Sequence, residues 1–254
     1  MPNTKAATST QWVAGIHAVR TLLLHGTKRI HSLQVDGKRQ DRRLQSILAT
    51  AKKHQIPVQT TDAQTLQKQV GNLNHQGVAA LTSLPAPGNE TTLDQLLCDQ
   101  EKPPLLLVLD SITDPHNLGA CLRTADAAGV DAVIAPRDKA TGLTPTACKV
   151  ASGAAETVTF IQVTNLARTL RHLQDQHGIY IVGLVGEAET EVNAADLRGP
   201  LAMVMGNEGQ GLRSLTRKCC DQLIAIPMHG SVESLNVSVA TGICLYEARR
   251  QRIT

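Results

Sequence analysis

Three short stretches set polar side chains beside glycine in patterns that suit chemistry. The first runs from Asp110 to Thr124 (DSITDPHNLGACLRT). Asn117 is placed to cap a helix, Pro115 fits the loop just before it, and Gly119 in the first turn lets another backbone or a ligand approach closely. Arg123 follows on a helix otherwise built of small residues (Ala120, Cys121, Ala125, Ala127, Ala128), so one large cation stands out. A helix start is a natural anion site, although an ordinary capped helix with a surface arginine accounts for the same residues. The second stretch, Met205 to Leu212 (MGNEGQGL), carries Gly206, Gly209 and Gly211 around Glu208. Such a loop bends sharply and presents its own amides and carbonyls, and Glu208 can bind a polar ligand group or orient Arg123; a turn that merely needs positive φ is the plainer reading. The third, Ile226 to Ala240 (IPMHGSVESLNVSVA), leads through Ser234 and Asn236 into a final helix, and either residue can be a simple N-cap.

Each stretch follows an apolar strand pattern. Three strand-end loops with short polar groups, glycine and little bulk suit an adenosine-like ligand held through backbone hydrogen bonds in a concave, partly apolar site. The glycine spacing is G-x-x-G-x-G, which is not the dinucleotide fingerprint, and no lysine follows it as in a phosphate-binding P-loop. This argues against a nucleotide-dependent oxidoreductase. The six cysteines form no C-x-x-C pair and none lies at zinc-finger spacing from a histidine, so reduced, mostly buried thiols and no metal are expected.

The elements that must position these loops form two groups. From Leu105, aliphatic strand patterns at 105–110, 131–135, 157–163, 179–185, 201–205 and 223–226 alternate with helical ones, and a last helix runs from about Val237 to Arg250. That alternation predicts an α/β domain, 105–254, with a mostly parallel sheet covered on both faces and ligands at the carboxyl ends of its strands. Residues 1–84 read as a smaller α/β domain, ordered from about residue 12. It has a helix at 14–24, a strand at 30–35, a basic amphipathic helix at 42–54, a strand starting at Ile56, a helix capped by Asp62 through Val70, and a strand at 77–81. Prolines at 85, 87, 103 and 104 bracket 85–104 as a linker with one short helical pattern.

Charge divides the same way. Residues 1–87 hold eleven Lys or Arg against three Asp, a balance of +8, while the remainder holds fourteen basic and nineteen acidic groups, −5. A front half this basic points to a polyanion, with a solubilising face as the alternative. The chain has only four aromatic residues, so stacking on bases contributes little. Contacts to the phosphates of such a polyanion are expected from Arg39, Arg42, Arg43, Lys52 and Lys53. No apolar run is long enough to span a bilayer and no secretory leader pattern opens the sequence, so a cytoplasmic protein is expected.

Taken in order, Asn117-Leu118-Gly119-Ala120 with Arg123-Thr124, then Gly206-Asn207-Glu208-Gly209 with Gly211, then Ile226-Pro227-Met228 with Ser234-Leu235-Asn236-Val237-Ser238, resemble the three motifs of the SPOUT methyltransferases. More narrowly they are similar to the TrmH group of RNA ribose 2′-O-methyltransferases, over roughly residues 104–252. The front domain, with Gly15-Ile16-His17-Ala18-Val19 and His75-Gln76-Gly77-Val78, resembles the ribosomal-protein-like RNA-binding extension of the RlmB branch, which methylates a guanosine ribose in bacterial 23S rRNA. Asn207 stands where that branch often has alanine, and Glu233 where it often has a small residue.

The resemblance implies a SPOUT domain with a deep trefoil knot, a homodimer with each site completed near the subunit interface, and S-adenosyl-L-methionine as cofactor. It also implies that the partner of the basic front domain is a folded RNA. Backbone groups of Gly206, Ile226 and Leu235 would hold that cofactor. Catalytic roles would fall to Asn117, Arg123, Glu208, Ser234 and Asn236, with Arg123 stabilising the developing alkoxide or clamping the adjacent phosphate. Methylation of a guanosine in tRNA, or RNA binding without catalysis on the same fold, are the alternatives.

Overall fold

The alternation of strands and helices resolves into two units, one ending at Ala86 and the other starting at Pro87, in a computed structural model that describes residues 10–207 and 209–253. The first unit contains β1 (Thr10–Ala14), α1 (Ile16–His25), β2 (Ile30–Asp36), α2 (Arg42–Lys53), β3 (Val58–Thr61), α3 (Ala63–Val70) and β4 (Val78–Ser83). Its sheet has the order β1-β4-β2-β3, antiparallel except for the β2–β3 pair. Val78 and Ala80 of β4 pack with Val19, Leu22, Leu44 and Ile47 of α1 and α2, while Ala79 between them packs with Leu66 and Val70 of α3. Strand alternation thus puts helices on both faces. β1 was not anticipated: its one buried residue is Gln11, so no apolar alternation announces it.

Local chemistry fixes the ends of these helices. Asp41 and Asp62 each accept two backbone N–H bonds at the starts of α2 and α3. α1 starts at Gly15, which has no side chain to offer, and Gln76 supplies the missing acceptor, its Oε1 taking the Ile16 N–H at 3.2 Å.

The second unit comprises α4 (Glu90–Cys98), β5 (Leu105–Leu109), α5 (Pro115–Ala128), β6 (Ala132–Pro136), α6 (Pro145–Ala151), α7 (Ala154–Thr157), β7 (Thr159–Val163), α8 (Leu166–His177), β8 (Tyr180–Leu184), β9 (Leu201–Met205), α9 (Ser214–Lys218), β10 (Gln222–Ile224) and α10 (Val237–Ile253). All six strands run parallel in the order β10-β8-β9-β5-β6-β7. Leu105, Leu107 and Leu109 of β5 face a core built with α5, α6 and α10, while Leu106 and Val108 face one built with α4 and α8. Burial on both faces is why these strands read as unbroken aliphatic runs.

From Pro87 onward, the stretch expected to be a linker is instead part of this unit. Asn89 and Thr92 form a reciprocal capping box at the start of α4, Leu93 and Leu97 are buried in the core, and Gly88 hydrogen-bonds along β7 through Phe160 and Gln162. The prolines mark the entry to a packed helix rather than a free tether.

At the far end of the chain, Glu191 pairs with Ala225 just past β10, and Gln251 of α10 exchanges hydrogen bonds with Leu197 N–H (2.9 Å) and the Ala195 carbonyl (3.0 Å). No helix among the described residues is long and apolar enough to cross a membrane.

None of the six cysteines is in a disulfide; Cys98 is exposed, and Cys121, Cys219 and Cys244 are buried. Burial pushes Cys220 and Cys244 up to about 12, and the thiolate is the nucleophile. Native protein treated with iodoacetamide at pH 8 should therefore label first at Cys98, with Cys220 and Cys244 modified only after denaturation; peptide mass mapping reads the order.

Candidate active site

The carboxyl ends of β5, β8, β9 and β10 and the start of α10 form one rim. Asp110, immediately after β5, is fully buried. Its Oδ1 accepts from Arg213 Nε at 2.6 Å and its Oδ2 from the Arg213 backbone N–H at 3.0 Å. The Arg213 side chain is 40% exposed, so its cation keeps some water while the carboxylate does not. This pair closes the loop after β9 against the end of β5. Next along, Ser111 takes a left-handed backbone (φ 64), uncommon for a residue with a Cβ, and its carbonyl accepts from Asn207 Nδ2 at 3.1 Å.

Asn207 also organises its own turn. Its backbone exchanges two hydrogen bonds with Gly211 (2.8 and 3.2 Å), and its Oδ1 accepts the Gly209 N–H at 2.9 Å. The turn folds back so closely that a Cβ on Gly206 would stand 2.3 Å from the Gly211 carbonyl carbon, which excludes every other residue there. Glu208, assigned a role from the sequence, lies outside the described residues.

On the first motif the structure corrects the reading. Asp114, not Asn117, caps α5, accepting the His116 N–H, and Pro115 is the first helical residue. Proline suits that position because its fixed φ is helical and its missing N–H would have no partner. Asn117 therefore lies inside the first turn, where its Oδ1 accepts from Asn236 Nδ2 at 3.0 Å. The cap role belongs to Asn236, whose Oδ1 takes the Ser238 N–H and hydroxyl at the start of α10. Gly119 does serve close approach, but of a helix: a Cβ there would lie 2.5 Å from the Ala147 carbonyl oxygen of α6.

Two asparagine bonds thus stitch the three loops together, Asn207 to Ser111 and Asn236 to Asn117. Beside them opens a cleft of about 710 Å³, partly continuous with solvent and lined by residues including Gly206, Asn207, Ile226, Glu233, Ser234 and Leu235. All three residues expected to hold a cofactor by their backbones are in that lining, as is Ser234. Its walls are aliphatic, from Leu184, Val185, Met205 and Val237. The lining contains neither Asn117 nor Arg123. Arg123 is exposed on α5, one residue before Thr124, which approaches Gly242 of α10. Sequence reading missed Asp110, Ser111 and Arg213, although a buried-strand pattern ending in Asp is a signal that a partner must exist.

In the first unit, Arg42, Arg43, Lys52 and Lys53 are all exposed on α2. At about 100° per residue, Arg42 and Lys53 point directly away from buried Leu44, Ile47 and Ala51, with Arg43 and Lys52 on either flank. Arg39 differs: its guanidinium is taken up by the Asp41 carboxylate and the Gln76 carbonyl, so it braces the loop.

A model of the SpoU rRNA Methylase family matches residues 104–246. The chain belongs to that family. A second model, RNA 2'-O ribose methyltransferase substrate binding, matches residues 12–87. The chain is 55% identical over 241 residues to the 23S rRNA (guanosine-2'-O-)-methyltransferase RlmB of Haemophilus influenzae, covering 95% of this chain and 98% of that protein. It is 54% identical to the Shewanella oneidensis protein of the same name, covering 94% and 97%. Among solved structures, the SpoU methyltransferase AviRb from Streptomyces viridochromogenes superposes with a TM-score of 0.79 at 25% identity, over 96% of this chain and 90% of that one. AviRb has also been solved in complex with the cofactor AdoMet, with the same fold likeness (TM-score 0.78, 24% identity, 96% and 91% coverage).

The Asp110–Arg213 pair yields a stability test. Arg213→Ala leaves a fully buried carboxylate without its cation and should cost about 3 kcal/mol in urea unfolding of the second unit. Asp110→Asn leaves only a half-exposed arginine unpaired and should cost clearly less. Equal midpoints for Arg213→Ala and the parent protein would contradict the assignment.

Proposed function

We propose that this chain transfers a methyl group from S-adenosyl-L-methionine to the ribose 2′-OH of a guanosine in 23S rRNA. The observation that carries the reading is a cleft lined by the second and third glycine-and-amide turns, with the first tied to both by hydrogen bonds, in a chain 55% identical to a 23S rRNA (guanosine-2'-O-)-methyltransferase. The cleft suits the cofactor: aliphatic walls for an adenine beside the bare backbone of Gly206. When bound, S-adenosyl-L-methionine supplies an electrophilic methyl group on sulfur.

The remaining work falls to the protein. A ribose hydroxyl is a weak acid, so it must be held in line and its charge stabilised as the proton leaves. A guanidinium is a poor base and a good partner for an oxyanion or phosphate, the role assigned to Arg123. Asn117 and Asn236 fix the first loop to the third, and with Ser234 and Glu208 they orient the ribose.

Because Arg123 stands outside its own cleft lining, the reading includes a homodimer. α10 exposes Val239, Ile243 and Tyr246 at helical i, i+4, i+7 spacing, an apolar stripe that a second copy covers. Arg123 lies near the contact between α5 and that helix and serves a site shared between copies. The reading includes the trefoil knot that the motifs imply for the second unit.

The first unit grips RNA phosphates with Arg42, Arg43, Lys52 and Lys53, about 15 Å apart from end to end along α2. Two arginines at a helix N-terminus oppose the helix dipole, so they are better explained by a ligand than by stability. A protein acting on rRNA works in the cytoplasm.

Arg123→Ala should lower methyl transfer to 23S rRNA by at least about a hundredfold, read with isotope-labelled cofactor, while cofactor affinity stays near the parent value. Mixing Arg123→Ala with Asn236→Ala protein after subunit exchange should restore part of the activity, because a mixed dimer regains one intact shared site. Wild-type turnover by Arg123→Ala would refute the catalytic role, and no recovery in mixed dimers would refute the shared site.

A further inference from the structure

On the face of the sheet away from α10, three side chains from two helices meet at a single oxygen. Asp94 is carried by α4, and His172 and His177 by α8. His172 Nε2 lies 2.8 Å and His177 Nε2 3.1 Å from Asp94 Oδ1, and the three donor atoms all lie within 4.8 Å of one another. We propose that Asp94, His172 and His177 form a binding site for one divalent transition-metal ion of the zinc class, which bridges α4 and α8.

Chemistry and geometry both favour the ion. Two imidazoles and a carboxylate are a donor set that zinc takes in sites leaving a fourth position to water. With metal–ligand bonds of about 2.0–2.2 Å, tetrahedral donors stand roughly 3.4 Å apart. The Asp94–His172 and Asp94–His177 distances need open by about 0.6 and 0.3 Å to reach it. The rings meet edge to face, 73° apart with centroids at 5.6 Å, so neither stacks over the other's nitrogen. Exposures of 44% for His172, 16% for His177 and 41% for Asp94 leave a solvent-facing side for the water ligand.

Charge is favourable as well. Among the described residues, Asp94 makes ion pairs with these two imidazoles only, so no fixed lysine or arginine occupies the position a cation would take. His177 is the last residue of α8, immediately before Gly178, whose left-handed backbone (φ 60) ends the helix. The ion would therefore pin the C-terminal turn of α8 to α4, the first helix of the unit.

Full-length protein stripped with chelator and titrated with Zn²⁺ in a calorimeter tests this. The expected result is one equivalent bound at this site and a thermal midpoint that rises with Zn²⁺. Affinity should weaken at least about tenfold in each of His172→Ala, His177→Ala and Asp94→Asn. Asp94→Asn keeps side-chain shape and hydrogen-bonding capacity, and circular dichroism of the metal-free variants confirms folding. Titration with Co²⁺ should give a spectrum without thiolate charge-transfer bands, which separates this site from binding at Cys219 or Cys220. Absence of saturable binding by the parent protein, binding unchanged in all three variants, or thiolate bands would each overturn the proposal and leave a hydrogen-bonded clasp between the helices.

Discussion

One buried carboxylate holds the rim of the second unit together. Asp110 leaves β5 with its backbone N–H still bonded to the Met205 carbonyl, so two neighbouring parallel strands end in register and their loops start side by side. A charge with no solvent exposure must be satisfied by the protein. Arg213 does so with one backbone and one side-chain donor, and the chain between Met205 and Arg213 is thereby forced back over the strand ends. Ser111 then offers its carbonyl to Asn207 from a left-handed backbone position. Such strain persists where its surroundings enforce it.

That constraint places the bare backbone of Gly206 beside the aliphatic walls of the cleft. A turn folded so tightly that Gly206 has no room for a Cβ leaves its peptide groups as the available recognition surface. The third loop is placed by an equally local device: Asn236 caps α10 and with the same amide reaches Asn117, so the position of the final helix and that of the first loop are not independent. In the first unit, cations ring the exposed side of α2, while its buried side is held by Leu44, Ile47 and Ala51.

Much of this was legible in the sequence for physical reasons. Strands covered on both faces had to be aliphatic throughout, and β9 is found where the pattern put it, Leu201–Met205. Asp62 announced a helix start because few other roles suit an aspartate before an apolar repeat. What stayed hidden depends on contacts remote in sequence. Asn117 resembled a cap until Asp114 and Pro115 were seen to begin α5. Prolines around α4 suggested a tether, since burial of Leu93 and Leu97 depends on strands that follow later. Arg39 looked like a free cation although Asp41 and Gln76 engage it. The Asp94, His172 and His177 cluster spans 83 positions, so no motif spacing reveals it; the expectation of no metal had been drawn from cysteine spacing alone.

The account depends on the cofactor lying against the turns that Asp110, Asn207 and Asn236 hold together. A crystal structure of the full chain with S-adenosyl-L-methionine tests this most directly. The account predicts the ligand in the cleft bounded by Gly206, Ile226 and Leu235, hydrogen-bonded to their backbones, with its methyl group toward the Asn117–Asn236 contact. Ligand density at any other place on the second unit, with that cleft filled only by solvent, would contradict it.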